Sequence, residues 1–284
     1  MSQLIQDFLT GQPFGDGTDG SLTISSNTTF STPNQSCSGA ASQKNLAIAA
    51  ASTFANGDLV LIHQTRGTGV GGWEVNKVAS GGGTTTLVMT ENLANTYTDS
   101  GASQAQVLKL LRYTNVTINS GQTWTAPAWD GNVGGILAVA CNGTCSVTGN
   151  ISATGKGFLA NVTAATGNNS SGEDGYQGEG STSAGGTRTT SATGNAAGGG
   201  KGNPKEPDTN PAGGGGGGNG AAGSNGTGTA TPGTGGSASG ATALTTATFG
   251  GSGGNGGANW PTGSIGGIGG IGGGFYICFA KVLV

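Results

Sequence analysis

Charge is scarce in this chain. Of 284 residues, 10 are Lys or Arg and 13 are Asp or Glu, 8% in all, where about 25% is usual. So few basic residues exclude a nucleic-acid surface held by counterion release. A net charge of −3 gives no long-range steering of a charged partner. Histidine occurs once, as His63, and cysteine four times, as Cys37, Cys141, Cys145 and Cys278. That set lacks the spacing of a metal cluster, and no cofactor is expected. No apolar run approaches the ~20 residues of a membrane-spanning helix, so no membrane insertion is expected. Residues 1–17 have neither a basic segment nor a continuous apolar one, so no secretory signal peptide is read there.

What is abundant is glycine, 62 residues against a usual ~7%. It is not at every third position throughout, which excludes collagen. Composition shifts near residue 160. Before that point, short β-prone runs recur at Leu22–Ile24, 59–62, Thr86–Met89, 107–111 and 136–140, bounded by Gly, Asn, Asp or Ser. Runs 59–62 and 107–111 are apolar on both faces and read as buried strands. Only 1–9 and 47–55 have weak helical character. Residues 22–33 and 116–127 share the pattern [LV]-T-I-[SN]-S-x-x-T-[FW]-[ST]-x-P, with a shorter echo at 147–154. Recurring strand–turn units predict stacked coils, or two similar hairpins in a sandwich.

From residue 250 the chain reads GGS-GGN-GGA, then Asn259-Trp260-Pro261-Thr262, then GS-IGG-IGG-IGG. Both arms have period three. That period matches an extended left-handed helix of three residues per turn, with Ile265, Ile268 and Ile271 along one edge. The Asn-Trp-Pro-Thr segment would reverse the chain between two antiparallel rods. Such composition also suits a disordered linker. A lone extended helix has no internal hydrogen bonds, so ordered rods must bond to one another, and only glycine lets backbones approach that closely. No charged residue occurs between Thr209 and Ala280, which fits packed rods. Residues 275–284 read as a strong strand. The entry Gly273-Gly274-Phe275-Tyr276 repeats that of Gly134-Gly135-Ile136-Leu137, so the strand is expected beside 136–140.

Residues 115–157, the glycine-rich blocks after them and the closing GGGFYICFAKVLV together resemble glycine-rich β-solenoid proteins of phage and bacterial surfaces. The glycine blocks resemble the distal adhesins of tailed-phage long tail fibres. That resemblance implies polyglycine II rods packed as a sandwich, with the loops joining them against a host receptor. The expected fold class is all-β: a β-solenoid- or sandwich-like base with an inserted polyglycine II rod domain. The expected division is an N-terminal β region for attachment or assembly (1–114), solenoid-like strands (115–160), glycine-rich rods (161–274) and a C-terminal strand docking on the base (275–284).

Little in the sequence points to catalysis, and no enzyme is expected. Glu173 with Asp174, or Asp16 with Asp19, are the carboxylate pairs that glycan hydrolysis would use. Asp16 to Asp19 also forms a turn-like loop with oxygen ligands for calcium, but the remaining ligands of a known loop are missing. Residues 173–176 read as an exposed loop. His63 has no nucleophile placed beside it by any motif and reads as a strand-end histidine. Gly67 to Gly72 lacks the Lys-Ser/Thr of a phosphate loop and reads as a hairpin loop. Cys141 and Cys145 bracket an Asn-Gly-Thr turn, which allows a local disulfide; four buried thiols are the other reading. Tyr176 and Trp260 fall at expected loop tips, where aromatics stack on sugars, with Asp174 and Asn259 beside them as hydrogen-bonding groups.

The function expected on these grounds is a virion or extracellular appendage protein. It would bind a host-surface glycan or outer-membrane protein through its rod loops, within a homo- or hetero-oligomeric assembly of virion or filament subunits. A structural filament or sheath subunit without a ligand site is the alternative, and an ice-binding glycine-rich bundle the third.

Overall fold

The computed structural model describes residues 15–51, 54–166, 174–186, 211–228, 230–240, 246–258 and 265–284. Among these every regular element is a strand, and the protein is all-β. In chain order, β1 (Leu22–Ile24) and β2 (Thr28–Thr29) come first. Six strands follow: β3 (Asn34–Ser38), β4 (Asn45–Ile48), β5 (Leu59–Arg66), β6 (Trp73–Ser80), β7 (Thr86–Met89) and β8 (Gln104–Lys109). Then come β9 (Leu111–Tyr113), β10 (Val116–Ile118), β11 (Thr123–Thr125), β12 (Ile136–Val147) and β13 (Asn150–Ser152), with β14 (Phe275–Leu283) closing the chain.

The base is a stack of parallel coils. One parallel sheet runs β1-β10-β12-β14, with β9 also on β12, and a second runs β13-β11-β2. Each coil therefore gives one strand to each sheet. The repeated motif sets the first register: Leu22, Thr23 and Ile24 lie beside Val116, Thr117 and Ile118, which lie beside Cys145, Ser146 and Val147. Strand alternation turns Ile24, Val116 and Ile118 into the core. Past the corner the register slips. Sequence alignment puts Phe30 opposite Trp124, yet the strand pairing puts Thr28 there. The corner after Ile118 is longer, with a turn closed by Gln122 N–H to Asn119 C=O (3.0 Å) and Gly121 at φ +76°. A slip of two keeps every side chain on its face. Phe30 and Trp124 still meet edge to face, with centroids 5.7 Å apart.

Between the first and second coils the chain makes a closed antiparallel barrel in the order β3-β4-β7-β6-β5-β8. Leu46, Val60, Ile62, Leu87, Met89 and Val107 fill it. On β5 the opposite face packs on the base: Leu61 joins the base core and His63 meets Phe249 and Phe275. That double burial explains the two-sided apolar run at 59–62. The helical reading of 47–55 does not hold. Ala47 and Ile48 belong to β4, paired to Ser38 and Cys37, because ladder pairing and burial of Ile48 outweigh weak helix propensity. Residues 1–9 lie outside the described residues.

After the third coil the described segments bond without ladders. Along 250–257, every third amide reaches the same neighbour. Gly250, Gly253 and Gly256 donate to Gly273, Gly270 and Gly267 (2.7–2.8 Å). Gly251, Gly254 and Gly257 donate to Gly218, Gly215 and Ala212 (2.9–3.0 Å). Ser252 and Asn255 donate to Glu179 and Tyr176 (3.0 and 2.8 Å). One segment thus bonds three neighbours in rotation. A second set links Gly213 to Thr227, Gly226 to Gly233 and Gly233 back to Gly213 (2.7–3.0 Å). Glycine is required at these contacts: a Cβ on Gly214 would land on Gly254 O, and one on Gly217 on Gly251 O. The chain then returns through β14, which pairs in parallel with β12 from Ile136↔Phe275 to Cys145↔Leu283.

Candidate functional site

The three parts meet at Glu179. The carboxylate stands between two glycines in a glycine-rich segment and is 3% exposed. Arg66 reaches it from the last position of β5, where a bulge between Gln64 and Arg66 re-aims the strand end. Arg66 Nη1 donates to Glu179 Oε1, while its Nε donates to Ala102 O at 2.8 Å. Trp129, in the corner before β12, donates Nε1–H to both carboxylate oxygens at 3.1 Å. The Leu159 amide donates to Oε2 at 2.7 Å. On the other side, the Glu179 carbonyl accepts from Ser252 N–H and Oγ–H. Burial pushes the carboxyl pKa up, and the Leu159 amide, Arg66 and Trp129 pull against that. Barrel, base and glycine-rich segments are thus tied through one buried side chain.

A groove of about 580 Å³ opens above this pair. Its walls include Leu159, Val162, Ile268 and Ile271, which are 36%, 83%, 55% and 53% exposed. Its floor holds Arg66, Glu179 and Gln104. Gln104 is the β8 partner of Arg66, and its buried Oε1 has no hydrogen-bond donor among the described residues. Asn132 and Asn161 add amide groups to the lining.

Beside the site, His63 is fully buried. Its Nε2 donates to Ala247 O at 2.6 Å and Nδ1 faces Thr65 Oγ1 at 2.9 Å. Burial lowers its pKa to about 4, partly opposed by the Ala247 carbonyl. The imidazole is therefore neutral at pH 7 and seals the barrel against the rods.

The residues singled out from sequence are scattered. Asp174 and Tyr176 are half-buried, at the start of a described segment that packs on 252–255. The Tyr176 carbonyl accepts from Asn255, and Gly175 and Gly178 press on the backbones at Asn255 and Ser252. Two glycines three apart are the signal that this stretch packs backbone to backbone, as the other glycine-rich segments do. Asn259 and Trp260 lie outside the described residues, as does Glu173. Cys141 and Cys145 are free thiols. Cys141 Sγ–H points to Thr114 O at 3.4 Å, and the sulfur beside Cys145 is that of Cys278 on β14, at 3.8 Å. The thiol hydrogen bond from Cys278 favours thiolate on Cys145. Asp16 and Asp19 hold Arg112 where a cation would sit: Asp16 Oδ2 takes Nη1 at 2.8 Å and Asp19 Oδ2 takes the Arg112 amide at 2.7 Å. Among the described residues no group of three or more His, Cys, Asp or Glu could hold a metal. The residues that sequence reasoning missed are Arg66, Gln104, Trp129 as a donor, and Glu179. The one available signal was a carboxylate set between Gly178 and Gly180.

No family model matches the chain, and no curated protein does. Two solved structures align with part of it. The gp54 tailspike of Acinetobacter baumannii bacteriophage AP22, solved in complex with A. baumannii capsular saccharide, is 14% identical over 46% of this chain and 26% of its own, with a TM-score of 0.27. The tailspike gp61 of Pseudomonas phage phi297 is 16% identical over 46% of this chain and 24% of its own, with a TM-score of 0.24. The aligned part is about a quarter of either tailspike. At such scores the likeness carries no argument about function.

Proposed function

We propose that this chain is a virion or cell-surface appendage protein of tail-fibre or adhesin type. The reading is that its glycine-rich segments form a polyglycine II-type domain, and that the loops joining the rods bind a host-surface receptor. The observation that carries it is the segment 250–257, whose amides bond three separate neighbours at a period of three. Such cross-bonding makes a rigid block out of backbone alone. A charge-free block of this kind holds loops at fixed positions, and loops on a rigid scaffold are where binding residues concentrate. Candidate contacts are Tyr176, Asp174, Asn259 and Trp260, with a glycan or an outer-membrane protein as receptor. The action is read as binding, with Glu179 and Asp16 paired to Arg66 and Arg112.

The test uses fluorescently labelled protein on a panel of bacterial cells. Binding to a subset of strains is expected, with loss in the Tyr176→Ala/Trp260→Ala variant. Unchanged binding by that variant removes those residues from the receptor surface. A filament subunit is the second reading. Its support is the outer edge of β14, unpaired among the described residues, where Tyr276 and Leu283 stand more than half exposed. Electron microscopy separates the two: discrete particles fit the adhesin, continuous fibres the filament.

A further inference from the structure

We infer that the groove over the Arg66–Glu179 pair is a second ligand site, and that it takes an uncharged, N-acetylated glycan. The inference does not rest on receptor binding by the rod loops. Its floor contains a buried acceptor, Gln104 Oε1, without a donor. A buried polar atom left unpaired costs about 1–3 kcal/mol, and a ligand N–H or O–H in the groove would relieve that once the Gln104 amide turns toward it. The two charges on the floor already neutralise each other: Arg66 Nη1 is on Glu179 Oε1, and the other carboxylate oxygen is taken by Trp129 and Leu159. The groove therefore offers no free charge to an ion. Its walls are aliphatic and exposed, with Val162, Ile268 and Ile271 each over half uncovered. Ile268 and Ile271 stand one rod turn apart on the same edge. Asn132 and Asn161 supply amides at the lip.

An acetamido sugar combines what this lining asks for. It brings an amide N–H for the lone acceptor, a methyl group for the aliphatic wall, and hydroxyls for the asparagine amides, with no net charge. The volume, about 580 Å³, lies within the ~300–1,000 Å³ of small-molecule sites. Position adds to this, because clefts between structural parts are preferred ligand sites.

Titration calorimetry on the full chain tests the inference with three probes: triacetylchitotriose, maltotriose and a hyaluronan tetrasaccharide. Triacetylchitotriose is expected to bind at least about tenfold more tightly than maltotriose, because of these two neutral probes only it brings an amide N–H together with a methyl group for the aliphatic wall; hyaluronan, which carries the acetamido group but also glucuronate charges, is expected to bind more weakly than triacetylchitotriose. Gln104→Leu is expected to weaken triacetylchitotriose about tenfold while leaving the thermal midpoint unchanged or higher, since it removes an unpaired buried atom. Ile268→Asp, on the exposed wall, is expected to abolish binding. Equal affinity for the two neutral trisaccharides, preference for hyaluronan, no binding of any probe, or binding indifferent to both variants would each overturn the inference. Loss of cell binding in Trp260→Ala with triacetylchitotriose affinity intact keeps the groove and the rod loops apart as separate sites.

Discussion

The barrel and the rods solve the same problem with opposite materials. In the barrel, antiparallel ladders close on themselves and side chains such as Leu46, Ile62 and Leu87 fill the inside. In the rods, backbone packs on backbone, and the amides of 250–257 reach three neighbours in turn. The barrel is stabilised by apolar area removed from water. The rods have almost none to remove, and are held by satisfied amides and close carbonyl contacts. The lesson is one of size. Removing atoms should damage the first region and adding them should damage the second.

The largest effect is expected where the regions join. Glu179→Gln leaves the Arg66 guanidinium buried without its counter-charge, and breaking such a pair costs about 3–5 kcal/mol. Denaturant unfolding should show that loss, with faster amide exchange at Ser252 and Leu159; an unchanged midpoint would mean that the joint is not under load. Within the barrel, Leu87→Ala is expected to cost about 3 kcal/mol by leaving a cavity, and amide exchange at Gly253 and Gly256 should stay as slow as before. If it quickens as much as the barrel's, the two regions unfold as one and the contrast fails.

Acid should act on the boundary through His63. Its folded pKa, about 4, lies below the ~6.5 of an unfolded histidine. The stabilisation is thus complete above pH 6.5 and is lost as pH falls toward 4, because the unfolded chain takes up the proton first. The loss is about 3 kcal/mol. It should appear as the difference in pH dependence between the protein and His63→Gln. Parallel pH curves for the two would contradict it.

A smaller and sharper test lies in two adjacent glycines. A Cβ on Gly269 would land on the carbonyl of Gly253, whereas one on Gly270 meets nothing within 4 Å. Gly269→Ala is expected to cost about 2 kcal/mol by overpacking. Gly270→Ala should change stability by less than about 1 kcal/mol, in the stabilising direction, by restricting the unfolded chain. Equal effects would mean that the rods are looser than their hydrogen bonds require.

Periodic features were legible in the sequence. The shared T-I motif gave the Leu22↔Val116 register, because identical short strands stack most readily on themselves. The matching Gly-Gly entries anticipated Ile136↔Phe275. Ile265, Ile268 and Ile271, which the three-residue spacing groups together, are all exposed. Features that depend on distant partners were not legible. Arg66 and Glu179 stand 113 residues apart, and neither has a local pattern that names the other. The register slip at Trp124 came from a corner whose length the motif does not encode. The backbone packing beside Tyr176 was not legible either, because polar neighbours suggest exposure, yet glycines three apart let a polar segment bond its backbone to Asn255. Of the two readings of the cysteines, free thiols hold over a local disulfide: four residues along one strand separate two sulfurs more than a jump to the neighbouring strand does.

Strand β14 is the last described element, and its partner β12 lies on the far side of the entire glycine-rich segment. During synthesis the apolar edge of β12 therefore waits, uncovered, until the ribosome has made everything between. Closing that gap brings distant points of the chain together, which is slow. The rod block, by gathering its own segments first, would shorten the search and act as a folding jig for the strand that completes the base.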